Sequence, residues 1–442
     1  LETGDKTIIH QDPNQHYDLA EVSVDSRGQP YLTGYRTAYF HTSGLTDSVQ
    51  SLITMAKQKT QSRMLRFSAS DDQQTWLIAD ADPSQASVQH FIYVVADKKW
   101  IAPLTHIATQ KMPPEWVSPR HPFTYTASDG MTLFGYLTLP PGKKAGEVPL
   151  ITVPHGGPWN RSTGAFNWTA QFLANRGYAV FEPNFRGSTG MGRSYVLRAN
   201  RDFGNGRVQQ DILDGIDFLL ALGIGKPDQL GIAGHSFGGF SAITALAFTP
   251  ERFNVAFAGA APTNLAKTIK HFQHRMPARL VEKRMARFAD LLVDINNHQD
   301  VARLYEQSPD KHWRNITRPL YLWAGEKDDR VAIEDIRDFA LRLNANNQQV
   351  TLISDTRAGH SPDSDIAREA YLYLLEHALA THLKGRADNH VTPALKRYMM
   401  KFTDLDNKNR SHAWREIFSS AYITTALNPK SIVFFLAFIP QF

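Results

Sequence analysis

The stretch "GIAGHSFGGFSAITALAF", Gly231 to Phe248, decides the fold. Its first residues belong to a short apolar run that predicts a buried strand, and the residues from Phe237 onward predict a helix. Ser236 therefore lies at a sharp strand-to-helix turn, where its neighbours are small because the turn is tight and strained. The helix N-terminus beyond it offers N–H groups and the positive end of the helix dipole to a developing anion. Ser236 is a candidate nucleophile that needs partners elsewhere in the chain.

Strand and helix candidates alternate around this turn. Strands are expected at Leu150–Val153, Ala179–Glu182, Leu230–Ala233, Val255–Gly259, Leu320–Ala324 and Val350–Ser354. Helices are expected near Ala165–Asn175 and at Val208–Leu222, Phe237–Phe248, Ile333–Leu343 and Asp365–His382. Strands that alternate with helices predict a parallel sheet covered on both faces, so this part of the chain belongs to the α/β class.

The residues from about Tyr17 to Leu104 show a different pattern. Alternating apolar and polar residues between Asp-, Ser- and Gly-rich turns predict short strands. Their spacing, on the order of 40 residues per group of strands, is typical of β-propeller blades. Because a blade buries its faces against neighbouring blades, we expect the last blades of a larger propeller, and a small independent β-sandwich is the alternative.

The length and composition limit the classes of protein to which the chain can belong. A chain of 442 residues suggests two domains, and 42% hydrophobic with 21% charged residues is typical of a globular protein. The 48 basic and 43 acidic residues are interspersed, so a net charge of +5 gives no argument for nucleic acid. We interpret the basic stretch Lys267 to Arg287 as a solvated helix face. The lack of cysteine in the sequence excludes disulfides, thiolate catalysis and cysteine zinc sites.

Two later strands are each followed by a residue that a nucleophilic serine needs. A serine requires a base, and the base requires a carboxylate that orients it. The strand "PLYLWAG" is followed by Asp328 and Asp329, and the strand "VTLISDT" is followed by His360. The order serine, acid, histidine is that of α/β hydrolases. We assign the acid to Asp328 because Val331 follows it at the usual spacing, with Asp329 as the alternative.

The second requirement is a pair of N–H groups for an oxyanion. The segment "LITVPHGGPW" places two glycines directly after a strand, where backbone can approach a substrate closely. We predict that the N–H groups of Gly157 and Phe237 form the oxyanion hole, with Gly156 as the alternative to Gly157. His155 precedes the serine in the chain, so a structural role is favoured for it over that of the base.

Three other motifs do not meet the requirements for cofactor or metal binding. "GIGKP" at Gly223–Pro227 lacks the first glycine and the hydroxyl residue of a phosphate loop, and "GSTGMG" at Gly187–Gly192 has its glycines in the wrong order for a dinucleotide site. His271 and His274 form a pair without further ligands nearby in the sequence. We therefore expect no cofactor and no metal.

Taken together, the motifs resemble the prolyl oligopeptidase family of serine peptidases, in particular its bacterial branch of acylaminoacyl-peptidase and dipeptidyl-peptidase type. The motifs that carry the resemblance are "YTASDGMTLFGYLTLP", "HGGP", "NFRGSTGMG", "DILDGIDFL", "GHSFGG", "SPDKHWRNITRPLYLWAGEKDDRV" and "AGHS". The resemblance covers about Pro122 to Leu383 strongly, and Tyr17 to Leu104 weakly as terminal propeller blades.

The resemblance implies a domain order. Residues 1–111 would be a partial β-propeller, 112–122 a Pro-containing linker, 123–385 an α/β-hydrolase catalytic domain, and 386–442 a C-terminal extension. The chain opens "LETGDKTIIHQD" without methionine or a signal-peptide pattern. We therefore expect an N-terminally truncated chain, which leaves the compartment undecided, with the cytoplasm as the working expectation.

The resemblance also implies an activity on short peptides through an acyl-enzyme. Ser236 would attack, His360 would take and return the proton, and Asp328 would hold the imidazole. Arg186 in the "NFRGS" segment would support the oxyanion loop. The expected partner is a short acylaminoacyl, aminoacyl or dipeptidyl substrate, and the sequence does not decide the oligomeric state.

The residues that flank the serine depart from the family's pattern. Members of this branch often have Trp and Tyr on either side of the serine, whereas this chain has His235 and Phe237, a form equally at home in esterases. A carboxylesterase that acts on short acyl esters is therefore the alternative. A non-catalytic binding module is a third hypothesis, which predicts an incomplete triad.

The last residues carry a second resemblance. His412 to Phe442 resembles an internal membrane segment of the LysE/RhtB amino-acid exporters. The apolar run Ile432–Ile439 is far shorter than the ~20 residues that span a bilayer, so no specific membrane role is expected. We interpret the segment as a foreign tail, with a native packing helix as the alternative. Such an apolar tail would favour aggregation or association with membranes.

Overall fold

We describe the protein from a computed structural model, which covers residues 7–12, 16–85, 88–101, 113–400 and 402–406. The chain divides into two compact units. The first consists of Leu1–Leu230 and Glu282–Gln307, and the second of Gly231–Val281 and Ser308–Phe442. This division falls inside the predicted catalytic domain, and the domain boundaries expected from the sequence stay predictions.

The regular elements up to Ala221 belong to the first unit. The strands are β1 (Leu19–Val24), β2 (Pro30–Arg36), β3 (Phe40–Gly44), β4 (Leu65–Ala69), β5 (Thr75–Asp80), β6 (Gln89–Val94), β7 (Lys99–Ile101), β8 (Arg120–Thr126), β9 (Thr132–Thr138), β10 (Leu150–Thr152) and β11 (Ala179–Asn184). The helices are α1 (Asp47–Thr60), α2 (Trp168–Asn175), α3 (Gly192–Leu197) and α4 (Arg207–Ala221).

The remaining elements follow from Leu230 onward. The strands are β12 (Leu230–His235), β13 (Val255–Gly259), β14 (Leu320–Gly325), β15 (Val350–Asp355) and β16 (Phe402–Asp406). The helices are α5 (Phe237–Phe248), α6 (Leu265–Arg275), α7 (Ala278–Leu291), α8 (His298–Glu306), α9 (Ile333–Ala345), α10 (Asp365–Leu383) and α11 (Pro393–Met399). Short 3-10 helices lie at Pro114–Trp116, Ala145–Glu147, Pro250–Arg252 and Trp313–Asn315.

The first unit contains two antiparallel sheets, with strand orders β1-β2-β3 and β4-β5-β6-β7. Further along the chain, β10 pairs with β11 in parallel, β11 with β9 and β9 with β8 antiparallel. The turn between β8 and β9 contains Asp129 and Gly130, a dipeptide preferred in tight hairpin turns, and Gly130 has a φ of +85° that glycine adopts readily. Helices α2 and α4 pack against β11.

Helix α1 was not predicted from the sequence, which suggested strands throughout this region. The side chain of Thr46 caps the helix by accepting a hydrogen bond from the Val49 N–H. Leu52, Ile53 and Ala56 follow at helical spacing and are buried in one cluster with residues of β2, β4 and β5. The helix therefore forms because its apolar stripe completes a core with the strands on either side of it in the chain.

The second unit is built on a parallel sheet. Strands β12, β13, β14 and β15 pair in that order and in parallel, and β16 joins β15 antiparallel. Helices α5 and α10 pack against β13, while α9 packs against β14 and β15. All of α5 from Phe237 to Ala247 is buried, which explains why it is apolar on every side. Because parallel strands end at one edge, the loops after β12, β14 and β15 meet there.

Most predicted elements of the α/β region are confirmed. The helix Phe237–Phe248 and the strand Val255–Gly259 have the predicted bounds, and the other elements named from the sequence agree within about three residues. Helices α3, α8 and α11 and strand β16 were not predicted, and the basic stretch Lys267 to Arg287, interpreted as one helix face, is divided between α6 and α7. The exporter-like segment His412–Phe442 lies outside the described residues. In the part of the chain that is described, no helix has the length and apolarity needed to cross a membrane.

Candidate active site

Ser236 occupies the turn between β12 and α5. Its backbone has φ of 59° and ψ of −122°, a conformation that residues other than glycine rarely adopt. Its N–H donates to the Gly259 carbonyl at 2.8 Å, and its carbonyl accepts from the Phe240 N–H at 2.9 Å. A Cβ on Gly234 would lie 2.2 Å from the backbone of Gly238. The turn is therefore held by backbone hydrogen bonds and depends on small residues around the serine.

The predicted nucleophile and the predicted acid each lie within hydrogen-bonding distance of the predicted base. His360 Nδ1 is 2.8 Å from Asp328 Oδ2, and His360 Nε2 is 3.0 Å from Ser236 Oγ. Because a carboxylate only accepts, Nδ1 carries the hydrogen, and Nε2 is left to accept from the serine hydroxyl. The loops after β12, β14 and β15 supply one residue each.

The environment of Asp328 keeps its carboxyl ionised. Its Oδ1 accepts hydrogen bonds from the N–H groups of Arg330 at 2.8 Å and Val331 at 3.0 Å. Burial favours the neutral acid, but the hydrogen bonds from His360 and from these two amides outweigh burial and lower the pKa of Asp328. Asp329, the alternative acid, is exposed. The geometry therefore favours Asp328 as the partner of the histidine.

The acid and base loops are joined through their backbones. The Lys327 N–H donates to the Ala358 carbonyl at 3.0 Å, and Gly325 approaches Gly359 so closely that a Cβ would lie 2.0 Å from the Gly359 oxygen. A further contact comes from His235, whose Nε2 lies 2.7 Å from the backbone oxygen of His360. Sequence reasoning noted His235 only as an unusual neighbour of the serine and missed this contact.

The residues predicted for the oxyanion hole lie in different units. Gly157 belongs to the first unit, is exposed and has a φ of +143°. A Cβ at this position would lie 2.7 Å from the Trp159 nitrogen, so glycine is required there. Phe237 begins helix α5 in the second unit. The assignment of both N–H groups to one hole, and the choice of Gly157 over Gly156, stay predictions.

His155 is held within the first unit. Its Nε2 lies 2.8 Å from Ser188 Oγ, and its ring stacks on Phe185 with ring centroids 4.3 Å apart. Ser188 Oγ in turn donates to the Phe185 carbonyl at 2.7 Å. Burial lowers the pKa of His155 to about 4, so the ring is neutral at physiological pH. These contacts fit the structural role that the sequence suggests for His155.

The segment that holds Ser188 is itself anchored by Arg186. The guanidinium donates to both oxygens of Asp129 and to Asp211, and the Arg186 N–H also donates to Asp211 at 2.8 Å. Hydrogen bonds from Arg186 lower the pKa of Asp129 to about 2, whereas burial raises that of Asp211 to about 6. Both acids are carboxylates at pH 7. Sequence reasoning predicted a supporting role for Arg186 but missed Asp129, Asp211 and Ser188.

The described residues contain no group of three or more His, Asp or Glu side chains placed to hold a metal ion. The side chains at the Ser236 turn supply a hydroxyl, an imidazole and a carboxylate.

Two known enzymes are similar to this chain in sequence. The dipeptidyl aminopeptidase BIII of Pseudoxanthomonas mexicana is 31% identical over 326 residues, which cover 72% of this chain and 46% of that protein. The human acylamino-acid-releasing enzyme is 25% identical over 303 residues, 67% of this chain and 40% of that protein. The chain thus spans less than half the length of these two relatives.

Solved structures agree in fold. The Pyrococcus horikoshii acylaminoacyl peptidase superimposes with a TM-score of 0.64 at 17% identity, covering 88% of this chain and 59% of that chain. A puromycin-hydrolyzing peptidase of Mycobacterium tuberculosis gives a TM-score of 0.61 at 20% identity, covering 70% of this chain and 47% of that chain. At this identity the likeness shows the fold alone. It confirms the predicted class, an α/β-hydrolase fold preceded by propeller-type sheets.

The family follows from the sequence match. Residues 164–384, half of the chain, match the prolyl oligopeptidase family. The matched segment includes Ser236, Asp328 and His360, and it ends at the close of α10. We conclude that the chain belongs to the prolyl oligopeptidase family of serine peptidases.

Proposed function

We propose that this chain hydrolyses short peptides through an acyl-enzyme, with Ser236 as nucleophile, His360 as base and Asp328 as the carboxylate that orients it. The observation that carries the proposal is the continuous series of hydrogen bonds from Asp328 Oδ2 through the imidazole to Ser236 Oγ. The names of the relatives support acylaminoacyl, aminoacyl or dipeptidyl substrates.

The first half of the reaction forms the acyl-enzyme. Ser236 Oγ attacks the carbonyl carbon of the scissile bond while its proton moves to His360 Nε2. The imidazolium that results is stabilised by the Asp328 carboxylate, whose lowered pKa keeps it ionised. Collapse of the tetrahedral intermediate breaks the bond to the amine, which leaves with the proton from Nε2. The second half repeats these steps with water and releases the acid.

The negative charge on the intermediate needs N–H donors. We assign this role to the Phe237 N–H and the Gly157 N–H, with Gly156 as the alternative to Gly157. Phe237 supports the assignment because the N-terminus of a helix favours negative charge through its dipole and its N–H groups. Loss of one such donor typically lowers kcat by about 10²–10³.

The test of the nucleophile uses a fluorophosphonate probe and an aminoacyl p-nitroanilide. Wild type is compared with Ser236→Ala and with Ser194→Ala, which changes an exposed serine on α3. We expect the probe to label wild type and Ser194→Ala but not Ser236→Ala, and Ser236→Ala to lower turnover by about 10⁴-fold or more. Folded wild type that is neither labelled nor active would contradict the proposal and favour a non-catalytic binding module.

The choice of substrate separates peptidase from carboxylesterase, because the same nucleophile cleaves esters. An N-blocked and a free-amino p-nitroanilide are compared with p-nitrophenyl butyrate in one preparation. We expect turnover of at least one anilide, and preference for the blocked or the free-amino form distinguishes acylaminoacyl-peptidase from aminopeptidase behaviour. Turnover of the ester alone would replace the peptidase proposal with the carboxylesterase.

A further inference from the structure

His235 links the residue that carries the nucleophile to the residue that carries the base. It ends strand β12 and directly precedes Ser236. Its Nε2 lies 2.7 Å from the backbone oxygen of His360, and the two imidazole rings meet edge to face with centroids 5.3 Å apart. This hydrogen bond joins two loops that are 125 residues apart in sequence.

The partner fixes the hydrogen on the His235 ring. A carbonyl oxygen only accepts, so Nε2–H is the donor and the ring is the Nε2-protonated tautomer. On the Nδ1 side the ring lies close to Gly259, where an added Cβ would come within 2.7 Å of Nδ1. The rings of Trp323 and Tyr371 lie at 6.0 Å and 5.9 Å from the His235 ring. The imidazole is therefore held in one orientation by packing as well as by its hydrogen bond.

The surroundings also keep His235 uncharged. Burial is the main cause that lowers the pKa of His235 to about 4, and the charge of His360 lowers it further. The hydrogen bond to the His360 carbonyl and the charge of Asp328 oppose this lowering of the pKa. Arg330 adds to it, while Tyr371 faces the ring as a neutral phenol. A neutral His235 places no positive charge beside His360 when that imidazole takes the serine proton.

We propose that His235 is a positioning residue for the reaction: its Nε2–H holds the backbone carbonyl of His360, so that the imidazole stays within reach of both Ser236 Oγ and Asp328. This proposal rests on the function proposed above. The bond acts on the loop of the base and not on substrate, so its loss should lower kcat more than it raises KM. A displacement of about 1 Å at a reacting group can cost about 10²-fold in rate.

The test compares two substitutions of similar size. His235→Leu fills the space without a donor, whereas His235→Gln keeps an N–H donor. We expect His235→Leu to lower kcat, and the rate at which a fluorophosphonate labels Ser236, by about 10–100-fold with KM within about twofold. His235→Gln should retain activity within about fivefold of wild type. The matched control is His377→Leu, which removes a buried histidine on α10 whose Nδ1 lies 2.8 Å from the Tyr373 carbonyl oxygen of its own helix.

The outcomes separate the two proposals. The positioning role is supported if His235→Leu is slow and His235→Gln retains activity. Wild type and His377→Leu should then both be labelled by the probe and turn over substrate. If both His235 variants fold, as judged by circular dichroism and melting, and lose activity equally, or if His235→Leu keeps the wild-type rate, the hydrogen bond has no such role. If wild type itself is not labelled at Ser236, the proposed function fails instead.

Discussion

The loop that carries Ser236 and the loop that carries His155 both follow a buried strand that has a parallel neighbour, yet they are held by different means. The Ser236 turn depends on glycine, since Gly234 lies against the backbone of Gly238. It is also held by the backbone, because the Ser236 N–H donates to a backbone carbonyl. The His155 loop relies on side chains, because the imidazole is fixed by Ser188 Oγ and by stacking on Phe185. A turn of the first kind is encoded within a few residues, and a loop of the second kind by residues far apart in the chain.

Among the substitutions that test this comparison, the largest effect is expected at the carboxylate beside His360. Asp328→Asn would offer an amide N–H to His360 Nδ1 and favour the wrong tautomer, so kcat/KM should fall by about 10⁴-fold, or about 5.5 kcal/mol of transition-state stabilisation. The matched control is Asp329→Asn, which alters an exposed neighbour and should stay within about twofold of wild type. Steady-state kinetics on the p-nitroanilide measures both, and equal losses in the two variants would contradict the assignment.

A methyl group in the Ser236 turn should break the backbone arrangement itself. In Gly234→Ala the new Cβ would lie 2.2 Å from the Gly238 carbonyl group, which cannot move without moving the start of α5. We expect the free energy of unfolding to fall by about 3 kcal/mol, measured by urea denaturation.

The control for this collision is Gly142→Ala. Gly142 has a φ of +66° but open space around a Cβ, so the substitution adds backbone strain alone. A loss of about 1 kcal/mol is expected there. If Gly234→Ala cost no more than Gly142→Ala, close packing would not be what holds the turn.

The His155 loop is tested by removing one of the side chains that hold it. Ser188→Ala removes the partner of His155 Nε2 and frees the loop that holds Gly157. We expect kcat/KM to fall by about tenfold, or about 1.4 kcal/mol. The free energy of unfolding should fall by about 1 kcal/mol, because the Phe185 carbonyl also loses this partner. Ser194→Ala serves as the control in the neighbouring helix. Wild-type kinetics for Ser188→Ala would show that the loop keeps its position without this contact.

The smallest expected effect concerns His155 and the pH dependence of the free energy of unfolding. The pKa of His155 is about 4 in the folded chain and about 6.5 in an unfolded one, so below pH 6.5 the unfolded chain binds a proton that the folded chain does not. Wild type should therefore lose stability as pH falls from 6.5 to 4. His155→Gln should lose about 1 kcal/mol less between pH 7 and about pH 5.5, measured by urea denaturation at each pH. Parallel pH curves for the two proteins would show that the histidine is not held neutral.

The sequence predicted those parts of the site that local signals encode. Apolar runs and small residues predicted the bounds of α5 and β13. The positions of Asp328 and His360 directly after two later strands predicted that they lie near Ser236. Each of these signals lies within about ten residues of the feature it predicts, which is why one sequence suffices to find them.

The residues that sequence reasoning missed contact partners that are far away in the sequence. Asp129 resembles an ordinary hairpin residue, and Asp211 an ordinary acid on helix α4. Their shared partner Arg186 is 57 residues from the first and 25 from the second. His235 likewise meets a carbonyl 125 residues away. Such pairs follow from how the elements pack, and their spacing in the chain carries no periodic signal.

At position 236, selection for stability and selection for activity pull in opposite directions. The φ of 59° and ψ of −122° belong to a region in which a residue other than glycine costs about 1–3 kcal/mol. A glycine there would relieve this cost and remove the hydroxyl at the same time. A descendant released from catalysis would gain stability by losing this serine, so we expect inactive relatives to lose the nucleophile long before they lose the fold.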